Sequence, residues 1–207
     1  MNESILLYIV NMKNTYILFW FVFFLGAGIV GSYGDEVIAV GPQDTKIEGS
    51  IKYSVIGRYR AEFNNFKGRV ILDDHLQKVE SVYLEIEVRS IHSNCLWCDK
   101  FARSRRLLNA LRYPKIIFKS EGIIRDNKAY RVTGILDMHG IKRRMTFPFS
   151  VKVMTDQRTK HKILNLTGNW SINRKNFNIV WNKFLDRGGV LVGDNFTVNW
   201  RIKAILL

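Results

Sequence analysis

The sharpest chemical signal in this sequence is the tetrapeptide Cys95-Leu96-Trp97-Cys98. A C-x-x-C pair can exchange disulfides when the start of a helix favours the thiolate. A helical stretch does begin nearby, around Asp99. That chemistry usually sits in a thioredoxin-like βαβ unit, and none is legible here. A zinc site would need two further ligands; His92 is close, whereas His75, His139 and His161 are scattered. The third possibility is a plain disulfide, the favoured state in an oxidising compartment. Joining Cys95 to Cys98 would close a loop of only a few residues and add little stability.

The remaining candidates are weaker. His139 belongs to a turn more than to a ligand set, and Asp73-Asp74 reads as a solvated turn rather than as paired acids. There is no G-x-S-x-G, H-E-x-x-H or phosphate-binding glycine loop. The sequence therefore assigns no catalytic residue and no metal ligand, and it points away from an enzyme.

The compartment that decides the cysteine question is written at the start of the chain. Residues 16–30 form a continuous apolar run, followed by Gly31-Ser32-Tyr33-Gly34 and then Asp35. The run is shorter than the roughly 20 residues of a membrane-spanning helix. It suits the core of a signal peptide over residues 1–34, with Ser32 and Gly34 before a cut ahead of Asp35. Glu3 and the early apolar residues fit poorly, and a start at Met12 gives a better leader: Met12-Lys13-Asn14, then the run. The alternative is an uncleaved anchor through residues 16–30. Either way residues 35–207 fold outside the cytoplasm: cleavage makes the protein periplasmic or secreted, and the uncleaved run would leave it membrane-anchored.

The formal charge is +14, and residues 1–34 leave it unchanged because Lys13 offsets Glu3. A surplus of this size favours polyanions. Export argues against nucleic acid and leaves an anionic membrane surface, where each basic residue contributes about 1 kcal/mol at most. Solubility alone is the competing explanation.

From Ile51 onward the dominant pattern is alternation, the mark of strands with one buried face. In residues 142–153, Met145, Phe147, Phe149, Val151 and Val153 share a face, with Pro148 on the other. That strand must lose a ladder bond at Pro148 or lie beside a bulge. Similar patterns mark strands at 51–55, 63–72, 82–88, 116–120, 130–138, 164–172 and 196–204. Asp126-Asn127 and His139-Gly140 read as tight hairpin turns, and 157–162 as a longer loop. One short helix is expected near residues 99–111, ended by Tyr113-Pro114. The fold class is all-β: an eight-stranded antiparallel barrel whose interior is filled by side chains or holds one small ligand. Gly134 and Gly168 on inward faces suggest room inside.

Several motifs, in order, resemble the YceI family. Tyr113-Pro114-Lys115-Ile116-Ile117-Phe118-Lys119-Ser120 is similar to its YP-x-I-x-F-x-S strand, and 132–141 to its VTG-x-L-x-x-HG hairpin. Asn173-Arg174-Lys175-Asn176-Phe177 resembles NR-x-x-F, and Val192-Gly193-Asp194 resembles VGD. With Phe63, Phe66 and Gly68, the likeness covers about residues 47–206. Departures are Ala61 where glycine is common, Cys98 where arginine is usual, Asp137 for threonine and Asn178 for glycine.

The resemblance implies a lipocalin-like barrel that binds an apolar isoprenoid, such as a polyprenyl chain or a quinone tail, and carries it outside the cytoplasm. The wall residues expected to hold that ligand are Phe63, Ile86, Phe118, Leu136, Phe147, Phe149, Trp170 and Trp200. Burying a CH₂ contributes about 0.8 kcal/mol, so a five-carbon unit supplies roughly 3–4 kcal/mol without any charged clamp. The competing function is a thiol-redox or quinone-linked partner using Cys95 and Cys98. Whether the barrel forms a homodimer is left open.

Overall fold

A strand with one apolar face must turn that face inward while its backbone N–H and C=O groups pair with neighbouring strands. The computed structural model describes residues 36–53, 57–73, 78–126, 129–183 and 191–206, all within one unit, Asp35–Leu207. The other unit, Met1–Gly34, with the expected leader or anchor, lies outside the described residues, as do Ser54, Val55, Asp74, His75 and Asn127.

Among the described residues, one antiparallel sheet contains eleven strands. They are β1 (Glu36–Val40), β2 (Thr45–Tyr53), β3 (Gly57–Phe63), β4 (Phe66–Leu72), β5 (Val79–Glu87), β6 (Ile91–His92), β7 (Lys115–Asp126), β8 (Ala129–Met138), β9 (Ile141–Thr155), β10 (Lys162–Asn173) and β11 (Val192–Leu206). The sequence predicts eight, and the surplus has a backbone cause. The β1:β4 ladder (Ile38 opposite Val70) and the β2:β3 ladder (Ile51 opposite Tyr59) form one hairpin, interrupted at residues 41–44 and at Asn64 and Asn65. The β4:β5 and β3:β6 ladders are likewise one hairpin, broken by a 3₁₀ turn at Val88–Ser90. Across that break the Asn64 N–H donates to Ser90 O (3.2 Å) and the Glu87 N–H to Asn65 O (3.0 Å). Thus β1–β2, β3–β4 and β5–β6 are single passes bent in the middle, leaving eight staves. β11 then pairs with β2, Trp200 opposite Ile47, and the ring closes. The barrel is lipocalin-like, and closure removes the exposed edges of an open sheet.

The His139-Gly140 turn forms with φ of 55° and 76°, the positive values that a two-residue hairpin of this kind requires. At Pro148 the ladder stops: β9 pairs with β10 only from Ser150 (opposite Thr167) to Thr155, while from Ile141 to Phe149 it pairs with β8, Arg131 opposite Pro148. A proline has no N–H to give, and β9 and β10 part beyond it.

The helix differs from expectation. α1 spans Leu96–Arg103, capped by Cys95 rather than started at Asp99, and residues 104–112 are turns. Ser104 ends it in an extended conformation, its hydroxyl donating to Phe101 O at 2.7 Å. Leu107 and Leu108 are both buried within these turns, and Leu111 is 74% exposed. Four leucine and phenylalanine positions at near-helical spacing therefore mimicked a longer helix.

Candidate functional site

The inward residues of the staves enclose a cavity of about 110 Å³. Since one water needs roughly 10–15 Å³ by this measure, there is room for about eight waters or a short hydrocarbon segment. Of the residues expected on its wall, Phe63, Ile86, Phe118, Leu136, Phe149, Trp170 and Trp200 line it. Phe147 is buried but does not reach it; its ring stacks on Trp170, centroids 4.1 Å apart and 9° from parallel. Val40, Thr45 and Ile47 also line the cavity. They lie at the end of β1 and the start of β2, ahead of Ile51, where the legible alternation begins.

Aromatic rings cross the interior in one connected series. Tyr130 meets Phe149 (5.1 Å), Phe149 meets Trp200 (6.3 Å), Trp200 meets Trp170 edge-on (5.3 Å), and Trp170 meets Phe118 (5.7 Å). The inward glycines do not leave the space empty, as the sequence suggests. A side chain on Gly134 would strike Phe118 and the Lys119 carbonyl, and one on Gly168 would strike the Trp200 indole. Glycine here makes room for a neighbour's ring.

Among the described residues, two polar atoms on this apolar wall have no partner: the Thr45 hydroxyl and Trp200 Nε1. The Trp170 indole, by contrast, donates to Pro148 O at 2.9 Å, spanning the place where β9 and β10 separate. An outer groove lies along that gap, and Phe149 and Trp200 border both the groove and the cavity.

The motif residues lie elsewhere, at the end of the barrel opposite β1. The Arg174 side chain is fully buried and donates to the carbonyls of Gly193 (2.8 Å), Ile179 (2.5 Å), Trp181 (2.9 Å) and Val192 (3.3 Å), with Asp194 at 3.7 Å. His139 Nδ1 bonds to Phe177 O at 2.9 Å, and the His139 ring lies 4.3 Å from that of Tyr113. Asn178 takes the left-handed conformation, φ 56°, that asparagine tolerates better than most residues. These contacts stitch the tyrosine–proline, histidine–glycine, asparagine–arginine and valine–glycine–aspartate segments to one another. Sequence reasoning singled them out as signatures without seeing that they are fastenings.

The model of the YceI-like domain matches residues 39–204. The chain belongs to the YceI-like family. A UPF0312 protein of Pectobacterium carotovorum is 29% identical over 101 residues, 49% of this chain and 53% of that protein. Protein YceI of Escherichia coli O157:H7 is 26% identical over 117 residues, 56% of this chain and 61% of its own length. The chain thus spans little more than half the length of these relatives. Among solved structures, Burkholderia cenocepacia BcnA superposes with a TM-score of 0.64 at 22% identity, covering 77% of this YceI-like chain and 96% of BcnA. A polyisoprenoid-binding domain from Saccharophagus degradans superposes with a TM-score of 0.59 at 9% identity, covering 82% and 98%. At such identities the likeness shows the fold.

Cys95 and Cys98 are bonded to each other in a disulfide. They stand outside the barrel wall, at the start of α1.

Proposed function

We propose that this barrel binds the chain of an isoprenoid-type lipid, a polyprenyl or quinone tail, in its lumen and carries it outside the cytoplasm without transforming it. The observation that carries the reading is the aromatic-lined cavity, which borders an outer groove through Phe149 and Trp200. The Saccharophagus degradans structure supports it, being described as a polyisoprenoid-binding domain. A tail longer than the present cavity enters between β9 and β10, where the ladder ends at Pro148, by swinging Trp200 away from Gly168. A leader ending ahead of Asp35 exports the barrel; the uncleaved alternative tethers it.

Exchange of the lipid takes place at an anionic membrane face. Met154, Ile163 and Ile205 stand side by side on the outer surface of β9, β10 and β11. Met154 is 53% and Ile205 58% exposed. Two rungs along, on the same face, lie Lys152 and Lys203, and Lys162 is adjacent in the chain to Ile163. An apolar rung among lysines suits insertion beside acidic headgroups.

The test is to extract the purified protein with organic solvent and to titrate it with a prenylated quinone. A ligand present at a hundred times its Kd stabilises the fold by about 2.7 kcal/mol, which raises Tm by roughly 5–11 °C for a chain of this size. Finding no extracted prenyl lipid and no shift in Tm removes the carrier reading.

A further inference from the structure

The Cys95–Cys98 disulfide does little for the fold. Disulfides stabilise chiefly by closing long loops in the unfolded chain, and this one joins residues three apart. The attachment of α1 is made instead by Asp99. Its buried carboxylate accepts the Tyr59 hydroxyl (2.8 Å), the Ser93 hydroxyl (2.6 Å) and the Ser93 N–H (3.0 Å), with Arg103 at 3.9 Å.

The local geometry instead suits exchange. Cys95 is the N-cap of α1, and its Sγ accepts the Cys98 backbone N–H at 3.2 Å. A helix start and an aimed N–H both favour negative charge on that sulfur. Both cysteines are half-exposed and lie in the wall of an outer groove of about 430 Å³, with Tyr53, Arg58, Arg60, Trp97 and Phe101. The two residues between the cysteines stand in water, Leu96 73% and Trp97 65% exposed. Large apolar side chains held at the mouth of a groove mark a contact surface.

We infer that this pair is a thiol–disulfide exchange site whose substrate is a cysteine-bearing polypeptide segment with apolar and acidic neighbours, the acidic ones meeting Arg58 and Arg60. In the reduced pair, the Cys95 thiolate attacks one sulfur of the substrate disulfide. A Cys95–substrate bond forms, and the other substrate sulfur leaves as a thiolate and takes a proton from solvent. Cys98 then gives up its proton and attacks Cys95 Sγ; the Cys95–Cys98 bond forms as the second substrate thiolate departs. Two electrons have passed to the substrate, which is now a dithiol. The reverse sequence oxidises a protein dithiol, so a second dithiol resets the pair. This site is independent of the lumen and stands whether or not a lipid binds there.

The experiment uses the full chain with two probes: a synthetic peptide containing one internal disulfide flanked by glutamate and phenylalanine, and oxidised glutathione. At about pH 6, where an ordinary thiol is almost wholly protonated, Cys98→Ser acquires the peptide on Cys95 at least about tenfold faster than Cys95→Ser acquires it on Cys98. Trp97→Ser slows the peptide severalfold and leaves glutathione unchanged. Circular dichroism of each variant matches the parent. Equal rates at the two cysteines, or a wild-type disulfide that a dithiol reduces only in denaturant, overturns the exchange site. Indifference of the peptide rate to Trp97→Ser overturns the polypeptide substrate.

Discussion

The indole of Trp200 occupies the space that a side chain at residue 168 would need, one strand away and directly opposite in the ladder. A glycine in the middle of a long strand ordinarily weakens it. Here it lets a ring lie flat against the backbone between the lumen and the outer groove.

Gly168→Ala therefore pushes Trp200 toward the cavity. Overpacking of this kind costs about 1–3 kcal/mol, and the displaced ring occupies ligand space. We expect a lower Tm and about tenfold weaker binding of a polyprenyl quinone, equivalent to roughly 1.4 kcal/mol. Gly122→Ala, where an added Cβ meets nothing within 4 Å, is the control. Unchanged binding in Gly168→Ala would show that Trp200 does not guard the lumen.

Arg174→Met keeps much of the volume but removes the guanidinium donors from the carbonyls of Gly193, Ile179, Trp181 and Val192, of which Val192 O keeps the Asn182 Nδ2 donor. Buried acceptors left unpaired cost about 1–3 kcal/mol each when water cannot reach them. Allowing for local relaxation, the variant loses about 3 kcal/mol or more, read as a Tm lower by roughly 6–12 °C. Ligand affinity in the folded fraction stays unchanged, since Arg174 is not a lumen residue.

His139 supplies a pH dependence. Burial holds its imidazole below the ordinary value of 6.5, partly offset by the bond to Phe177 O, and nearby Arg112 lowers it further. Nδ1–H serves that carbonyl, while buried Nε2 has no partner among the described residues, so a second proton has nowhere to bond. The folded state binds protons less readily than the unfolded chain. Stability from neutral His139 is present above 6.5 and is lost as pH falls through the folded pKa. His139→Asn tolerates the positive φ and does not titrate. Thermal melts between neutral and acidic pH should fall less steeply for this variant than for the parent; equal slopes would place the titration elsewhere.

Met154→Ser combined with Ile205→Ser removes the apolar rung on the outer face. Binding to vesicles rich in phosphatidylglycerol should drop severalfold, and binding of quinone in detergent should not change. Added salt should weaken the parent's vesicle binding, because the lysines act through a screened field. Vesicle binding indifferent to both the substitutions and salt would exclude this face as the contact.

What the sequence by itself determined is the pairing logic. Alternation such as that of residues 145–153 leaves one inward face per strand, and short turns between such strands favour an up-and-down barrel over a sandwich. Pro148 announced its own lost ladder bond, because a missing N–H is a local fact. The tight turn at His139-Gly140 was equally local. What only the tertiary structure decided are relations between residues far apart in the chain. Gly168 and Gly134 looked like vacancy until Trp200 and Phe118 filled them, and Phe147 shared the inward pattern yet lay against Trp170 instead of the cavity. Arg174 stood out only as part of the asparagine–arginine motif, and its burial is possible only because four carbonyls from two segments converge on it. Alternation specifies a direction, in or out; which ring fills which space is fixed by the packing of all the staves at once.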